Sequence, residues 1–144
     1  MSDTWDAWLA GFLDGEGCIR IQHSEPRIGA RQRCSPIVTI ANTDRTVLDE
    51  IRRREGAIVY DIKRYGRNHK PGYEWKMSSP EGIRALLGRL RPYLRVKETE
   101  AWLMLEFLEQ RTVIKSGTGY RRPLSEEEQA LRLGFKLALE IAKC

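Results

Sequence analysis

Apolar positions change period along the chain, and each change marks an element. Residues 8–17 (WLAGFLDGEG) put Leu9, Phe12 and Leu13 on a helix, with Ala10, Gly11 and Gly15 adding almost no bulk. After Gly17 the period drops to two. Ile19 and Ile21 alternate with Arg20, Gln22 and Ser24, which predicts a strand. Pro26 to Gln32 reads as a turn, and Arg33 to Ala41 as a second strand, antiparallel to the first. Thr43 is expected to cap a helix from about Asp44 to Glu55, with Val47, Leu48 and Ile51 facing inward and Gly56 ending it. The unit then recurs. Ala57 to Tyr65 alternates Ile58, Tyr60 and Ile62 against Val59, Asp61 and Lys63, and Tyr73, Trp75 and Met77 alternate with Glu74 and Lys76. Ser79-Pro80-Glu81 opens a helix to about Leu90, and Lys97 to about Ile114 is strongly helical. Ser125 to Glu128 forms a capping box for a last helix through Ala142.

This order predicts one α+β domain over residues 1–144: an αββαββα core with a four-stranded antiparallel sheet, helices on one face and extra C-terminal helices. With Ile19, Ile21, Ile58, Ile62, Trp75 and Met77 inward, the other sheet face carries Arg20, Gln22, Ser24, Arg33, Ser35, Thr39, Asp61, Lys63, Glu74 and Lys76. Such side chains hydrogen-bond to base edges and phosphates, and a β-surface fits the major groove. A solvated sheet face has the same composition. The neighbouring loops, with Arg27, Arg31, Arg67 and Lys70, tilt the reading toward DNA.

Charge distribution sharpens this. Residues 1–26 hold five acidic side chains and one basic, whereas residues 27–76 hold twelve basic and six acidic. An acidic end followed by a basic middle suits a metal centre beside a phosphate-binding surface. Cys18, Cys34 and Cys144 have no metal-ligand spacing and read as reduced thiols, although Cys18 and Cys34 could meet across a strand pair. Two histidines exclude a histidine-rich metal site. No apolar run is long enough to cross a bilayer and the N-terminus is acidic, so no membrane partner is expected. The expectation is a soluble intracellular protein, of cytoplasm or organelle matrix.

Gly11 and Gly15, four apart, share a helix face that another backbone can approach closely. Gly17 suits a left-handed residue just past the helix end. Glu16 then sits where unpaired carbonyls and the negative end of the helix dipole favour a cation. If this helix packs on its own copy, two glutamates meet, and like charges that close call for a metal or a proton.

Residues 9–17 (LAGFLDGEG) resemble the LAGLIDADG signature of homing endonucleases, with Gly15 in place of the usual alanine and Glu16 in place of the second aspartate. The resemblance implies a site-specific double-strand DNA endonuclease with Glu16 and the Gly15 carbonyl as metal ligands. It implies Mg²⁺ as the cofactor, with Mn²⁺ substituting and Ca²⁺ supporting binding without cleavage. Asp14 is expected to be structural. Asn42-Thr43-Asp44 resembles the segment that supplies a polar active-site residue, here Asp44, although helix capping explains the same residues. Pro92 to Lys97 resembles the segment that supplies an active-site lysine, here Lys97, to stabilise phosphate charge.

One motif gives half a site per chain, so the resemblance further implies a homodimer with Trp8, Ala10, Gly11 and Gly15 at its interface. A two-fold protein implies a long, near-palindromic target, cut on both strands with a short stagger. The reading includes an intron or similar mobile element as the coding context, with intron RNA as a second candidate partner. Two rivals use the same features: a non-cleaving maturase or DNA-binding regulator, and a dimerisation module. Retention of Glu16, Asp44 and Lys97 favours the nuclease over the first. The basic sheet disfavours the second. Lys115, Arg121 and Arg122 form a basic loop that fits either DNA contact or plain solvent exposure.

Overall fold

The computed structural model describes residues 3–24, 33–62, 71–116 and 126–143, to backbone level alone at Ser24, Arg33, 111–116 and Glu126. Its element order is α1 (Asp3–Glu16), β1 (Gly17–Ser24), β2 (Arg33–Asn42), α2 (Arg45–Glu55), β3 (Ile58–Ile62), β4 (Gly72–Met77), α3 (Pro80–Leu90), a 3₁₀ turn (Arg91–Tyr93), α4 (Glu98–Ser116) and α5 (Glu126–Ala142). The α+β class and the single antiparallel sheet agree with the sequence reading. Strands run in the order β1-β2-β4-β3, which puts the two hairpins' inner strands side by side at the centre.

Local chemistry sets the helix ends. Asp44, one residue after the expected cap Thr43, starts α2 by accepting from the Thr46 amide at 2.9 Å. Ser79 starts α3 by accepting from the Gly82 amide at 3.2 Å, ahead of Pro80 in the first turn. Gly56 closes α2 at φ +80° and leads into Ala57 at φ +71°. Gly17 does not take the left-handed role expected of it, since Gly56 is the positive-φ glycine among the described residues. Its need is steric. A Cβ on Gly17 would lie 2.2 Å from Leu13 Cδ1 and 2.8 Å from the Leu13 carbonyl oxygen. The chain can turn directly from α1 into β1 only if that space stays empty.

The register assigns the two sheet faces. Ile19 pairs with Val38, Val38 with Met77, Ile40 with Trp75 and Trp75 with Val59, and these side chains meet the helices. Trp75 and Phe107 are the largest fully buried side chains, joined by Leu9, Leu13, Leu48, Ile51, Ile83 and Leu87. The Trp75 indole donates to the Gly56 carbonyl at 2.9 Å, satisfying its one polar atom. An ionic cluster ties three helices together. Glu55 of α2 accepts from Trp5 of α1 at 2.9 Å and from Arg89 of α3 at 2.6 and 2.7 Å. The Arg89 Nε also lies 3.7 Å from Asp6 of α1.

The alternation in β3 is opposite to the expected one. Val59 and Asp61 face the helices, whereas Ile58, Tyr60 and Ile62 share the open face with Glu74 and Lys76. As an edge strand, β3 is covered on neither side well enough for its apolar residues to fix its orientation. Cys18 pairs with Thr39 and Cys34 with His23, so the two thiols lie on opposite faces and both are free. Among the described residues, no helix is long and apolar enough to cross a membrane.

Candidate active site and nucleic-acid interface

The last turn of α1 is pinned from two directions. Leu9, Ala10 and Leu13 bury one side of the helix in the core. Asp14, on the flank, reaches the segment before α4: its Oδ2 accepts from the Arg95 amide at 2.8 Å and its Oδ1 from the Lys97 amide at 2.9 Å. These amides precede the first turn of α4, where backbone donors lack helical partners. The same contact brings in the Lys97 side chain, whose Nζ donates to the Asp14 carbonyl oxygen at 2.7 Å. Lys97 thus caps the negative end of α1, two residues from Glu16. Gly15 and Glu16 are exposed.

Two further charges surround this point. Glu100, one turn into α4 from Lys97, is 6% exposed, and its Oε2 has no hydrogen-bond partner. Burial raises its carboxyl above the usual glutamate range; Lys143 and Lys97 oppose that rise and Asp14 adds to it. Lys143, at the end of α5, reaches 3.4 Å from the Cys18 thiol on β1. Sequence reasoning singled out neither residue. Their approach depends on α4 and α5 packing beside β1, which no local pattern encodes.

Asp44 follows the strand that pairs with β1. Gly17 pairs with Ile40, so the end of β2 runs out beside the start of β1, and Asn42-Thr43-Asp44 follows there. The Asp44 carboxylate is engaged in capping α2, and its own amide donates to Asn42 Oδ1 at 2.8 Å. Oxygen donors at the exposed α1 end, Glu16 and the Gly15 carbonyl, suit a hard cation. Among the described residues, no group of three or more His, Cys, Asp or Glu side chains converges on one point.

The exposed stripe of α1 carries Trp8, Gly11 and Gly15, spaced by three and four residues. A Cβ added at Gly11 or Gly15 would meet nothing within 4 Å. Trp8 is 42% exposed, and its ring stacks between Trp5 and Phe12 at centroid distances of 5.1 and 5.2 Å. Ala10, expected on this stripe, is fully buried in the core of its own chain, because position 10 shares the inward side with Leu9 and Leu13.

On the open sheet face, Arg20 and Gln22 are exposed, and Ser35, Glu74 and Lys76 are half-buried. Thr39 lies on that face too but is only 7% exposed, and Ile37 beside it is closed off. Ser24 and Arg33 pair at the far end of the hairpin, with side chains outside the described residues. Arg27, Arg31, Lys63, Arg67 and Lys70 lie outside the described residues, as do Arg121 and Arg122. Asp61 is a correction. It stands on the helix face, where Arg45 of α2 donates to it at 3.3 Å while stacking its guanidinium over Tyr73. Tyr60 takes the outward place instead, with its hydroxyl donating to Glu74 Oε1. The signal for Tyr60 lay in the strand itself, since Tyr60 and Glu74 both alternate with core-facing neighbours.

Known proteins share this fold. Residues 9–100 match the sequence profile of the LAGLIDADG endonuclease. The DNA endonuclease I-CvuI of Chlorella vulgaris is 27% identical over 107 residues, which cover 72% of this chain and 63% of that protein. The chain thus matches less than two thirds of that relative's length. Its fold is similar to that of I-CvuI in complex with the I-CreI target in the presence of Mg, the DNA not cleaved, with TM-score 0.73 and 22% identity over 97% of this chain and 83% of that one. An archaeal intron-encoded homing endonuclease complexed with DNA gives TM-score 0.75 and 14% identity over 97% and 84%. The homing endonuclease I-TnaI gives 0.71 and 19% over 96% and 92%. With the motif on α1, the strand pairs that follow it and a profile match reaching into α4, the chain belongs to the LAGLIDADG endonuclease family.

Proposed function

We propose that this protein is a site-specific double-strand DNA endonuclease that acts as a homodimer and depends on a divalent metal. The observation that carries the reading is the end of α1, where exposed Gly15 and Glu16 adjoin the Lys97 ammonium at the margin of an open, basic sheet. The curated relative is itself a DNA endonuclease, and structures similar to this one are complexes with DNA. The free stripe of Trp8, Gly11 and Gly15 supports pairing of α1 with its copy, which brings two such helix ends together at one axis.

In this reading Glu16 and the Gly15 carbonyl hold the ion, Mg²⁺ by preference, with Mn²⁺ also active and Ca²⁺ supporting binding alone. When bound there, the ion supplies positive charge beside the scissile phosphate and a water of lowered pKa. Lys97 faces the charge that develops on the phosphate, and Asp14 holds Lys97 in place through its backbone amide. Asp44 combines its capping role with a place at the site's edge. Arg20, Gln22, Ser35, Glu74 and Lys76 face the bases and backbone of a long, near-palindromic target, with Thr39 closed in behind them.

Selection from a randomised duplex library, in Mg²⁺ and separately in Ca²⁺, tests this. The expected result is cleavage of a near-palindromic site in Mg²⁺ and binding of the same site in Ca²⁺. Glu16→Gln should lower cleavage by at least a hundredfold while leaving dimer mass and Ca²⁺-supported binding intact. Sequence-selective binding without cutting in either ion would replace the nuclease by a regulator or maturase. Full cleavage by the Glu16 variant would refute the assigned site.

A further inference from the structure

The open sheet face carries a single acidic side chain among the described residues, and it is Glu74. A carboxylate on a surface offered to phosphates weakens every non-specific contact, so its presence needs a reason. Cross-strand pairing supplies part of one. Tyr60 lies directly opposite Glu74 in the β3–β4 register, and its hydroxyl donates to Oε1. That bond uses one carboxylate oxygen and fixes the side chain's orientation. No other hydrogen bond to Glu74 occurs among the described residues, which leaves Oε2 free to accept.

Tyr60 remains a donor throughout the working pH range. Burial, and then the bond and charge of Glu74, push its phenol up to about 12, with Arg20 acting weakly against them. Arg20 stands on β1, the opposite edge strand, and Ile37 and Thr39 between them on the same face are closed to solvent. Glu74 is thus an oriented acceptor on the open face, with Lys76 two residues on along the same strand and Tyr60 directly across from it.

A fixed acceptor discriminates between bases in the major groove. Guanine and thymine present acceptors there, O6 and N7 or O4, which repel a carboxylate. Adenine offers its N6 amino group, but with the N7 acceptor beside it. Cytosine offers the N4 amino group with no acceptor on its own major-groove edge, the acceptors of the pair belonging to guanine. We propose that Glu74, oriented by Tyr60, reads one cytosine in each half of the target. This inference rests on the DNA-binding reading above and adds the chemistry of one contact. Glu74 and Tyr60 are specificity-determining and positioning residues respectively, and neither takes part in cleavage.

The test is duplex selection in Ca²⁺ with the full-length protein and with Glu74→Gln and Tyr60→Phe, reading base preference position by position. The wild type is expected to prefer cytosine by about tenfold at one position in each half-site, the size of a single good base contact. Glu74→Gln should move that position alone toward adenine, because glutamine both donates and accepts. Tyr60→Phe should keep the same consensus and overall affinity but reduce the cytosine preference several-fold. Identical profiles for the wild type and Glu74→Gln would overturn the inference, as would a change confined to a position where the wild type does not select cytosine. A wild type that selects no duplex at all would overturn the DNA-binding reading first and this inference with it.

Discussion

Removing the Asp14 carboxylate should unfasten α4 from α1. Asp14 accepts two backbone bonds, from Arg95 at 2.8 Å and from Lys97 at 2.9 Å, across 81 and 83 residues of sequence. Hydrogen bonds to a charged acceptor contribute about 1.5–3 kcal/mol each, and the bond to Arg95 is exposed and belongs at the low end. Asp14→Ala should therefore lose roughly 3 kcal/mol, leaving two unpaired donors at the start of a helix. That is a large share of the roughly 5–15 kcal/mol typical of a folded domain. In a chain of this size it lowers Tm by roughly 10 °C. Asp14→Asn is the sharper test. One amide oxygen can satisfy one donor, but the amide nitrogen then points at the other, so asparagine should recover less than half of the loss. Thermal and urea unfolding by circular dichroism would read both variants, at one fixed protein concentration because dimerisation is linked to stability. The Lys97 ammonium loses its alignment in both, so cleavage should fall at least tenfold while Ca²⁺-supported DNA binding holds. An Asp14→Ala Tm within 2 °C of wild type, or an asparagine variant as stable as wild type, would refute the clamp.

Other perturbations separate further parts of the frame. Glu55→Ala leaves Arg89 and the Trp5 indole without their shared acceptor, and urea unfolding should show a loss of about 3 kcal/mol, the low end for a buried pair because Arg89 is partly open to solvent. Gly17→Ala sets a Cβ against the Leu13 backbone oxygen, which cannot swing aside, and should cost about 1–3 kcal/mol. Cleavage by that variant should fall more than its stability implies, since the shift falls on Glu16. Glu100→Gln should stabilise the protein in a pH-dependent way. Burial raises the Glu100 pKa in the folded state, so ionisation costs stability as pH climbs from the ordinary glutamate range through the raised value. The Tm of Glu100→Gln should match wild type below about pH 4 and exceed it at pH 7. Equal Tm values at pH 7 would remove the carboxylate from the buried set.

What the sequence makes legible is whatever depends on near neighbours. The pattern of α1, the alternation of β1 and β4, the glycine after α2 and the serine before α3 are all decided within four residues, and each sits where local chemistry puts it. The reversed faces of β3 show the limit of that rule. Ile58 and Ile62 are more apolar than Val59 and Asp61, yet the register places Val59 against Trp75 and turns the isoleucines outward. Asp61 can face the helices because Arg45 meets it there, and Arg45 belongs to another element. Side-chain alternation in an edge strand is a property of its partner, and the partner's register is a long-range fact.

The same distinction governs the site. The motif shows Glu16 and Gly15 at the end of a helix, but not how the cations around that end are kept apart. Lys97 occupies the carbonyl of Asp14, one residue before the pair assigned to the metal. Its amide is held by the carboxylate of that same residue, so ammonium and backbone are fixed by one side chain and its peptide group. In the proposed mechanism Gly15 and Glu16 would hold the ion, and because Lys97 uses the Asp14 carbonyl, the oxygens of Gly15 and Glu16 are left for it. The negative end of α1 favours the Lys97 ammonium, and Asp14, on the flank of the helix, fixes where that ammonium stands relative to Gly15 and Glu16.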